Sequence, residues 1–290
     1  MAETLNLHAS QPPLALITGT THGIGRVTAH RLAEAGLHVV MLCRDTSSAA
    51  ALREEIQIRV PGSQTDVLQC DLSHLGSVRA CAEEVRRHYG PLDLLINNAG
   101  TISTRHRFSG DGFELTFATN HLGPFLLTEL LLDRMAPECR IVNVASRIHY
   151  DGKLDLDTVT NRQARYRPTA AYAQSKLANV LHSFALARRL ANTGITVNCL
   201  HPGVVASNLL PRWLQIIRPL LRRNILNNER GAQTTLHLAL SDSLAHQSGL
   251  YFDEFQQPQT ASALANDVEL QERLWIASAQ WVAPFAMQST

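Results

Sequence analysis

Tyr172 and Lys176 stand four residues apart in the segment YAQSK, and their side chains could act as an acid–base couple. A tyrosine hydroxyl normally keeps its proton until about pH 10, so it transfers protons poorly unless a neighbouring charge lowers its pKa. Residues four apart lie on one face of a helix with Cβ atoms about 6 Å apart, and a nearby ammonium favours the phenolate. The same spacing also fits an ordinary pair on a helix surface.

Ser146 and Asn120 carry groups that suit the same chemistry. Ser146 ends the apolar run IVNVAS, and Asn120 lies in the segment TNHLGPFLLT. A hydroxyl at the carboxyl tip of a strand can donate a hydrogen bond to a developing oxyanion, worth roughly 2 to 4 kcal/mol, without forming an acyl intermediate. Taken singly, Asn120 also fits a polar helix residue, and Ser146 fits a helix N-cap or a loop.

A second candidate site is the glycine turn TGTTHGIG, which follows an apolar run and precedes a helical pattern. Glycines let the backbone approach a pyrophosphate closely, and a helix N-terminus supplies unpaired N–H groups and a partial positive charge. The spacing G-x-x-x-G-x-G differs from the usual G-x-G-x-x-G, and a plain glycine-rich turn is the alternative. Its position after the first strand favours a nucleotide site made of Gly19, Thr21, His22, Gly23, Ile24 and Gly25.

Arg44 follows the second apolar run, in the segment VVMLCRD. At this place an acidic residue usually binds the ribose hydroxyl of NAD, whereas an arginine suits the 2′-phosphate of NADP. Asp45 follows, but an acid beside an arginine fits better as its partner or as a helix N-cap. The pattern therefore favours NADP over NAD, with a solvated surface arginine as the alternative.

The third and fourth apolar runs end in polar residues that suit the adenosine half of such a cofactor. Asp71 in CDLS could accept a hydrogen bond from an adenine amino group, or it could cap a helix together with Ser73. In NNAG, Asn97 and Asn98 could bridge neighbouring strands or line the adenosine pocket, and Gly100 lets the chain pass close to a ligand. The predicted pocket consists of Asp71, Leu72, Asn98, Ala99 and Gly100.

The apolar pattern supplies the elements that position these residues. Short runs rich in Val, Ile and Leu predict strands over 14–18, 38–42, 66–70, 92–97, 140–145 and 195–200. Helical periodicity predicts helices over 26–36, 48–59, 74–88, 113–136 and 172–192, and the polar stretch 151–170 predicts a loop. Strands buried on both faces and separated by helices imply a doubly wound parallel sheet, a Rossmann-like α/β fold in a single domain. Ligands bind beyond the carboxyl ends of such strands.

Composition excludes several function classes. The chain has 290 residues, 45% hydrophobic and 18% charged, with 26 basic against 25 acidic side chains, so it supports a core and does not point to nucleic acid. The five cysteines are scattered, which favours reduced thiols over disulfides or a zinc site. Without a signal-peptide pattern or an apolar run of about eighteen residues, we expect a cytoplasmic protein with no transmembrane anchor and no metal.

The motifs occur in one order, namely TGTTHGIG, NNAG, Asn120, Ser146, Tyr172-x-x-x-Lys176 and HPGVVAS. This series resembles the classical short-chain dehydrogenases/reductases from about residue 12 to residue 253. NHLGPFLLT, SKLANVL, LHPGVV and GAQTTLHLAL resemble more narrowly the retinol-dehydrogenase-like branch, as does the long interval between Ser146 and Tyr172.

The resemblance implies a role for each matched residue. Tyr172 would be the general acid/base and Lys176 its activator, while Ser146 would hydrogen-bond the substrate oxygen and Asn120 would hold a water in a proton relay. Ser207 stands where the family usually has threonine and would contact the nicotinamide carboxamide. The loop around it comprises Pro202, Gly203 and Val205. The implied activity is that of an NADP(H)-dependent oxidoreductase interconverting a hydrophobic alcohol and its aldehyde or ketone.

The resemblance also divides the chain into a nucleotide-binding half, about 12–150, and a catalytic and substrate-binding half, about 151–290, with a lid over about 204–228. Within the lid, LLPRWLQIIRPLLRR mixes apolar residues with four arginines. We expect a mobile flap over an oily substrate, and peripheral contact with a membrane surface is the alternative. Candidate substrate contacts are Trp213, Leu214, Ile217 and, just after Ser146, His149, although a histidine there fits a structural role equally well.

Two other function classes match parts of the pattern. Nucleotide-sugar epimerases use a similar fold and Tyr/Lys pair, but they normally need more than the roughly 85 residues that follow HPG here. A non-catalytic NADP-binding sensor or scaffold would be expected to lack Tyr172, Lys176 or Ser146. In the family the helices that carry Asn120 and Tyr172 commonly pair, so a homo-oligomer fits. Residues 264–287 fit either a closing helix or an interface.

Overall fold

The strands lie close to the positions that the apolar runs predict. In the computed structural model, which describes residues 11–204 and 226–286, they are β1 (Leu14–Thr18), β2 (His38–Cys43), β3 (Thr65–Gln69), β4 (Leu92–Asn97), β5 (Met135–Val144), β6 (Thr196–Leu200), β7 (Tyr251–Phe252) and β8 (Pro258–Gln259). Over this part of the chain they form one sheet in the order β3-β2-β1-β4-β5-β6-β7-β8, parallel except for β8. The predicted doubly wound α/β fold in a single domain is confirmed.

Both faces of the sheet are covered, which explains why its strands are near-continuous apolar runs. Leu16 of β1 lies between Val40 of β2 and Leu95 of β4, and all three are buried in one core. The next residue, Ile17, belongs to a second core on the opposite face. Successive side chains of a strand point to opposite faces, so β1 contributes to both cores.

Helices cover the two faces of the sheet. They are α1 (Gly23–Glu34), α2 (Thr46–Arg59), α3 (Leu75–His88), α4 (Leu115–Phe117), α5 (Gly123–Leu131), α6 (Asp157–Thr160), α7 (Pro168–Arg189), α8 (Asn228–Leu240) and α9 (Val268–Val282). A π-helical turn, Ala118–Leu122, joins α4 to α5. Helices α1, α2 and α8 pack on one face, and α3, α5, α7 and α9 pack on the other.

Two boundaries differ from the prediction because of prolines. β5 begins at Met135 rather than at 140, and the helical segment predicted over 113–136 ends at Arg134, because Pro137 disfavours a helical conformation at the residue before it. α7 begins at Pro168 rather than at 172, because proline is favoured in the first turn of a helix. The predicted loop 151–170 therefore contains α6 and the start of α7. The short strands β7 and β8 were not predicted.

The C-terminal helix α9 packs against its own domain. The guanidinium of Arg189 on α7 lies 3.9 Å from the ring centroid of Trp275 on α9, and Glu272 accepts a 3.0 Å hydrogen bond from Arg188. The stretch predicted as either a closing helix or an interface therefore holds a closing helix.

The connection from β3 to β4 creates the crevice that a ligand needs. The chain builds β1, β2 and β3 outward in one direction and then returns to place β4 on the other side of β1. At this switch point the loops after β1 and β4 diverge, which leaves a crevice at the carboxyl ends of the two strands.

Candidate active site

The glycine turn between β1 and α1 leaves the N-terminus of α1 open. Gly19 and Gly23 have φ angles of +72° and +66°, which side chains with a Cβ rarely adopt. A Cβ on Gly25 would lie 2.2 Å from the carbonyl oxygen of Gly19. The N-cap His22 makes no side-chain capping bond, so this end of the helix fits the phosphates of a dinucleotide. The turn brings together all of its predicted residues, Gly19, Thr21, His22, Gly23, Ile24 and Gly25.

The asparagines after β4 hold this region together. Asn98 donates from Nδ2 to the carbonyl oxygens of Thr18 at 2.8 Å and Gly19 at 3.0 Å, so it fixes the start of the glycine turn. Asn97 donates to Asn143 Oδ1 at 2.8 Å and thereby links β4 to β5. Of the two roles that the sequence left open for these asparagines, the structure supports the bridging of strands. The Ala99 N–H adds a 3.0 Å bond to Thr18 Oγ1.

The two charged residues that follow β2, Arg44 and Asp45, have different surroundings. The Asp45 carboxylate caps α2 by accepting from the N–H groups of Ser47 and Ser48, each at 3.1 Å. A hydrogen bond from the Ser48 hydroxyl, together with these two bonds, holds the pKa of Asp45 below its usual value. Arg44 is exposed beside it. The expected N-cap role of Asp45 is therefore what the structure shows, and Arg44 is left facing solvent at the strand tip.

Two predicted pocket residues after β3 make local contacts. Asp71 Oδ1 accepts from the Ser73 N–H at 2.9 Å and from its hydroxyl at 2.7 Å, which shapes the turn before α3. The N-cap of α3 is His74, so Asp71 does not cap that helix itself. Leu72 is buried, and its carbonyl oxygen would lie 2.3 Å from a Cβ placed on Gly123 of α5. A role of Asp71 toward adenine stays a prediction.

Tyr172, Lys176, Ser146 and Asn120 come together at the carboxyl ends of β4 and β5. The Lys176 ammonium is buried, donates to the Val144 carbonyl oxygen at 2.8 Å, and lies 5.8 Å from the ring centroid of Tyr172. Ser146 directly follows β5 and caps the short 3₁₀ turn Arg147–Asp151, where its Oγ accepts from Ile148 N at 3.4 Å. The structure thus places the four predicted catalytic residues in one region.

Burial shifts the pKa values of the acid–base pair in opposite directions. It raises the pKa of Tyr172 to about 12, while hydrogen bonding to the Ser146 side chain acts the other way. It lowers the pKa of Lys176 to about 8. The role of Lys176 in stabilising the Tyr172 phenolate stays a prediction, because burial acts on the Tyr172 pKa in the opposite direction. The physical reason is that burial removes water from the charged phenolate.

Asn120 occupies the π-helical turn, and its amide is held by neighbours. Nδ2 donates to Thr101 O and to Ser175 Oγ, each at 2.9 Å, and Oδ1 accepts from Thr101 N at 2.7 Å. Gly100 passes beside this group, because a Cβ on it would lie 3.7 Å from Asn120 Oδ1 and 3.5 Å from Lys176 Nζ. Ser175 and Thr101 were not singled out as site residues. Only the position of Ser175, beside Lys176 in YAQSK, could have indicated it.

The structure shows what surrounds His149. It is fully buried, and its Nδ1 donates to the Ser146 carbonyl oxygen at 2.8 Å. Nε2 accepts from the Ser262 N–H at 3.2 Å, and burial lowers the pKa of the ring. Both nitrogens are used by the backbone, so the ring braces the turn that follows Ser146. Of the two roles that the sequence leaves open for His149, these bonds support the structural one.

The loop after β6 is described only in part. Pro202 follows the strand, and Gly203 has a φ of +81° in a place where a Cβ would lie 2.4 Å from Leu226 Cδ1. The predicted cofactor residues Val205 and Ser207, most of the lid, and the predicted substrate residues Trp213, Leu214 and Ile217 lie outside the described residues.

Two further findings bear on the kind of site. Within residues 11–204 and 226–286, no helix is long and apolar enough to cross a membrane. In the same part of the chain, no three His, Cys, Asp or Glu side chains are grouped as metal ligands would be. The polar groups that meet at the carboxyl ends of β4 and β5 are a phenol, a hydroxyl, an amide and an ammonium, a set that suits proton transfer.

Comparison with known proteins identifies the class. The sequence pattern of the family described as short chain dehydrogenase matches residues 13–215, and the chain belongs to this family. It is an oxidoreductase that acts on CH–OH donors with a nicotinamide cofactor. Retinol dehydrogenase 13 of Homo sapiens is 38% identical over 279 residues, which are 92% of this chain and 83% of the relative. The predicted retinol-dehydrogenase-like branch is confirmed.

Solved structures agree with this assignment. An uncharacterised protein from Mycobacterium Paratuberculosis superposes with a TM-score of 0.76 and 34% identity, covering 94% of this chain and 96% of its own. A blue fluorescent protein from a metagenomic library, crystallised with NADPH, has a TM-score of 0.67 and 26% identity. That comparison covers 84% of this chain and 96% of the other.

Proposed function

We propose that the protein is an NADP(H)-dependent oxidoreductase that interconverts a hydrophobic alcohol and its aldehyde or ketone. The observation that carries this proposal is the grouping of Tyr172, Ser146 and the buried Lys176 ammonium beside the open N-terminus of α1. In the proposal, residues of about 12–150 bind the nucleotide and those of about 151–290 bind the substrate and carry the proton donor.

In the proposed reaction Tyr172 donates its proton to the carbonyl oxygen, and the bound nicotinamide cofactor supplies the hydride. Burial raises the pKa of Tyr172 to about 12, so its hydroxyl keeps the proton at neutral pH and can donate it only where the resulting phenolate is stabilised. The Ser146 hydroxyl donates to the same substrate oxygen, and the Lys176 ammonium stabilises the phenolate that Tyr172 becomes. Asn120 holds the backbone at Thr101 and orders the region beside Lys176.

NADP is proposed over NAD because of the tip of β2. The carboxylate of Asp45 is committed to the N-cap of α2, while the guanidinium of Arg44 is exposed at the position that faces a ribose in this fold. Arginine matches phosphate oxygens with its planar fork of donors. The related structure crystallised with NADPH supports the same choice.

The remaining parts of the proposal concern the substrate and the cell. A hydrophobic substrate is supported by the similarity to retinol dehydrogenase 13, and the apolar sequence over 209–223 is proposed to cover it. All five cysteines are free and buried, which supports a reducing compartment, and we place the protein in the cytoplasm. Peripheral membrane contact of 209–223 and pairing of two copies stay predictions.

The first test is turnover of a panel of long-chain aldehydes and ketones by the purified protein with NADPH. Tyr172→Phe should lower kcat by at least about 100-fold, because it removes the proton donor and leaves the ring. Tyr89→Phe is the control, since Tyr89 lies beyond the end of α3 and is also half-buried. Full turnover by Tyr172→Phe would exclude the assignment, and tight NADPH binding without turnover of any substrate would favour a sensor.

The second test concerns cofactor choice. Arg44→Asp should shift the ratio of kcat/KM for NADPH over NADH toward NADH. The substitution replaces a guanidinium, which donates hydrogen bonds to phosphate, with a carboxylate, which accepts a hydrogen bond from a ribose hydroxyl. Asp45→Asn is the matched control, because it changes the neighbouring charge at the N-cap of α2. An unchanged ratio in Arg44→Asp, or an equal shift in Asp45→Asn, would remove Arg44 from the proposal.

A further inference from the structure

Ser175 is a buried hydroxyl between two of the proposed site residues. It is fully buried on α7, one position before Lys176. Its Oγ donates to the Tyr172 carbonyl oxygen at 2.8 Å and accepts from Asn120 Nδ2 at 2.9 Å. One hydroxyl therefore connects the backbone that carries Tyr172 to the side chain of Asn120.

The direction of each hydrogen bond in this network is fixed by the backbone groups of Thr101, with which the network begins. The Thr101 N–H can only donate, so it must face Asn120 Oδ1, and the Thr101 carbonyl oxygen can only accept, so it must face Nδ2. This orients the Asn120 amide with Nδ2 toward Ser175. Ser175 Oγ must then accept, and its own hydrogen is directed to the Tyr172 carbonyl oxygen. None of these hydrogen bonds can reverse its direction without leaving a buried polar group unpaired.

The chain of bonds joins three elements at the site. These hydrogen bonds start in the loop after β4, pass through the π-helical turn that holds Asn120, and end at the Tyr172 carbonyl oxygen in the second turn of α7. π-helical turns occur often at functional sites, where they direct one side chain out of the regular helix. The Ser175 hydroxyl links the π-helical turn to the backbone of Tyr172.

We infer that Ser175 is a positioning residue, which fixes Tyr172 relative to Asn120 and the loop at Thr101 without contacting substrate. The inference rests on the proposed function of Tyr172. An error of about 1 Å in the position of a proton donor can cost up to 100-fold in rate, so loss of this hydroxyl should lower kcat more than substrate affinity.

The chain offers a closely matched control in Ser183, two turns further along α7. Ser183 is also fully buried, donates to a carbonyl oxygen of its own helix (Asn179 O, 2.7 Å), and accepts from an asparagine side chain (Asn143 Nδ2, 2.9 Å). Ser175→Ala and Ser183→Ala therefore remove the same kinds of bonds from the same helix. Only the first lies beside Tyr172.

The experiment measures kcat, KM and the urea midpoint of unfolding for both variants with NADPH and an active aldehyde. We expect both midpoints to fall by similar amounts, and kcat to fall by about tenfold or more only in Ser175→Ala, with KM changed less than about twofold. In an Asn120→Ala background the Ser175→Ala effect on kcat should largely disappear, because the bond that it breaks is already absent. Equal kcat values in the two serine variants would overturn the inference.

Two cysteine variants test the inference if Ser175→Ala does not fold. If Ser175→Ala does not fold, Ser175→Cys and Ser183→Cys retain the side-chain size with much weaker hydrogen bonds, and the same contrast in kcat is expected. Tyr172→Phe, measured alongside, separates the two proposals. Its full activity would refute the proposed function itself. Its inactivity together with equal activities of the serine variants would refute only the role of Ser175.

Discussion

Replacing Lys176 with methionine should stabilise the protein at neutral pH while it removes activity. Lys176 is 3% exposed, and the hydrogen bond that the structure gives its ammonium among the described residues runs to the Val144 carbonyl oxygen. Burial lowers the pKa of Lys176 from the usual 10.5 to about 8. A methionine side chain has a similar length and fills the same space without a charge.

The size of the effect follows from the two pKa values. A shift from 10.5 to about 8 corresponds to an unfavourable burial of the ammonium by roughly 3 kcal/mol. Below pH 8 the folded and unfolded chains both carry the proton, so the whole cost acts against folding. As the pH rises toward 10.5 the folded chain releases its proton first, and roughly 2 kcal/mol of stability returns between pH 7 and pH 9.5.

The assay compares free energies of unfolding in urea at pH 7 and at pH 9.5. The advantage of Lys176→Met over the parent chain should shrink by about 2 kcal/mol between the two pH values. Loss of the bond to Val144 lowers the stability of the variant equally at both pH values, so it cancels from this difference. Lys153→Met is the control, because the chain has two lysines and Lys153 is exposed. An advantage that does not change with pH would refute the reasoning.

Two further predictions follow from the same site. In the direction of carbonyl reduction, kcat/KM should be level up to about pH 8 and then decline, because Lys176 loses its proton there while Tyr172, with a pKa of about 12, keeps its own. Initial rates that stay level to pH 10 would contradict this. Gly25→Ala should abolish NADPH binding in calorimetry, because its Cβ would lie 2.2 Å from Gly19 O. The control Gly90→Ala should bind normally, because a Cβ at that position meets no atom within 4 Å. Undiminished binding by Gly25→Ala would show that the turn does not hold the phosphates.

The central strands could be predicted closely because each is buried on both faces. β1 and β4 match their apolar runs, and β2 differs by one residue, since a strand between two cores must be apolar throughout. β7 and β8 were not predicted, because two residues carry too little pattern to distinguish a strand from a loop. The starts of β5 and α7 were missed where Pro137 and Pro168 overrode the periodicity.

The members of the candidate site could be predicted, but their local surroundings could not. Spacing and strand tips identified the four residues that the structure groups, because motifs in the loops after parallel strands converge at one edge of the sheet. The sequence does not show what surrounds a side chain in space. For His149 the sequence therefore leaves a substrate contact and a structural role open, and only the structure shows that its two nitrogens are paired with the backbone at Ser146 and Ser262. Ser175 was overlooked for the same reason.

The pKa values define a resting protonation state of the site that the motif alone does not. Desolvation raises the pKa of Tyr172 to about 12 and lowers the pKa of Lys176 to about 8. Below about pH 8 both groups therefore keep their protons, and the resting state is a neutral tyrosine beside an ammonium. Giving up the tyrosine proton creates a phenolate at the same partly buried position, and the ammonium then offsets the cost of that charge. Proton donation to a carbonyl starts from this resting state, whereas proton removal from an alcohol requires the phenolate first. The rate of carbonyl reduction should therefore be highest below about pH 8, where Tyr172 and Lys176 both carry their protons.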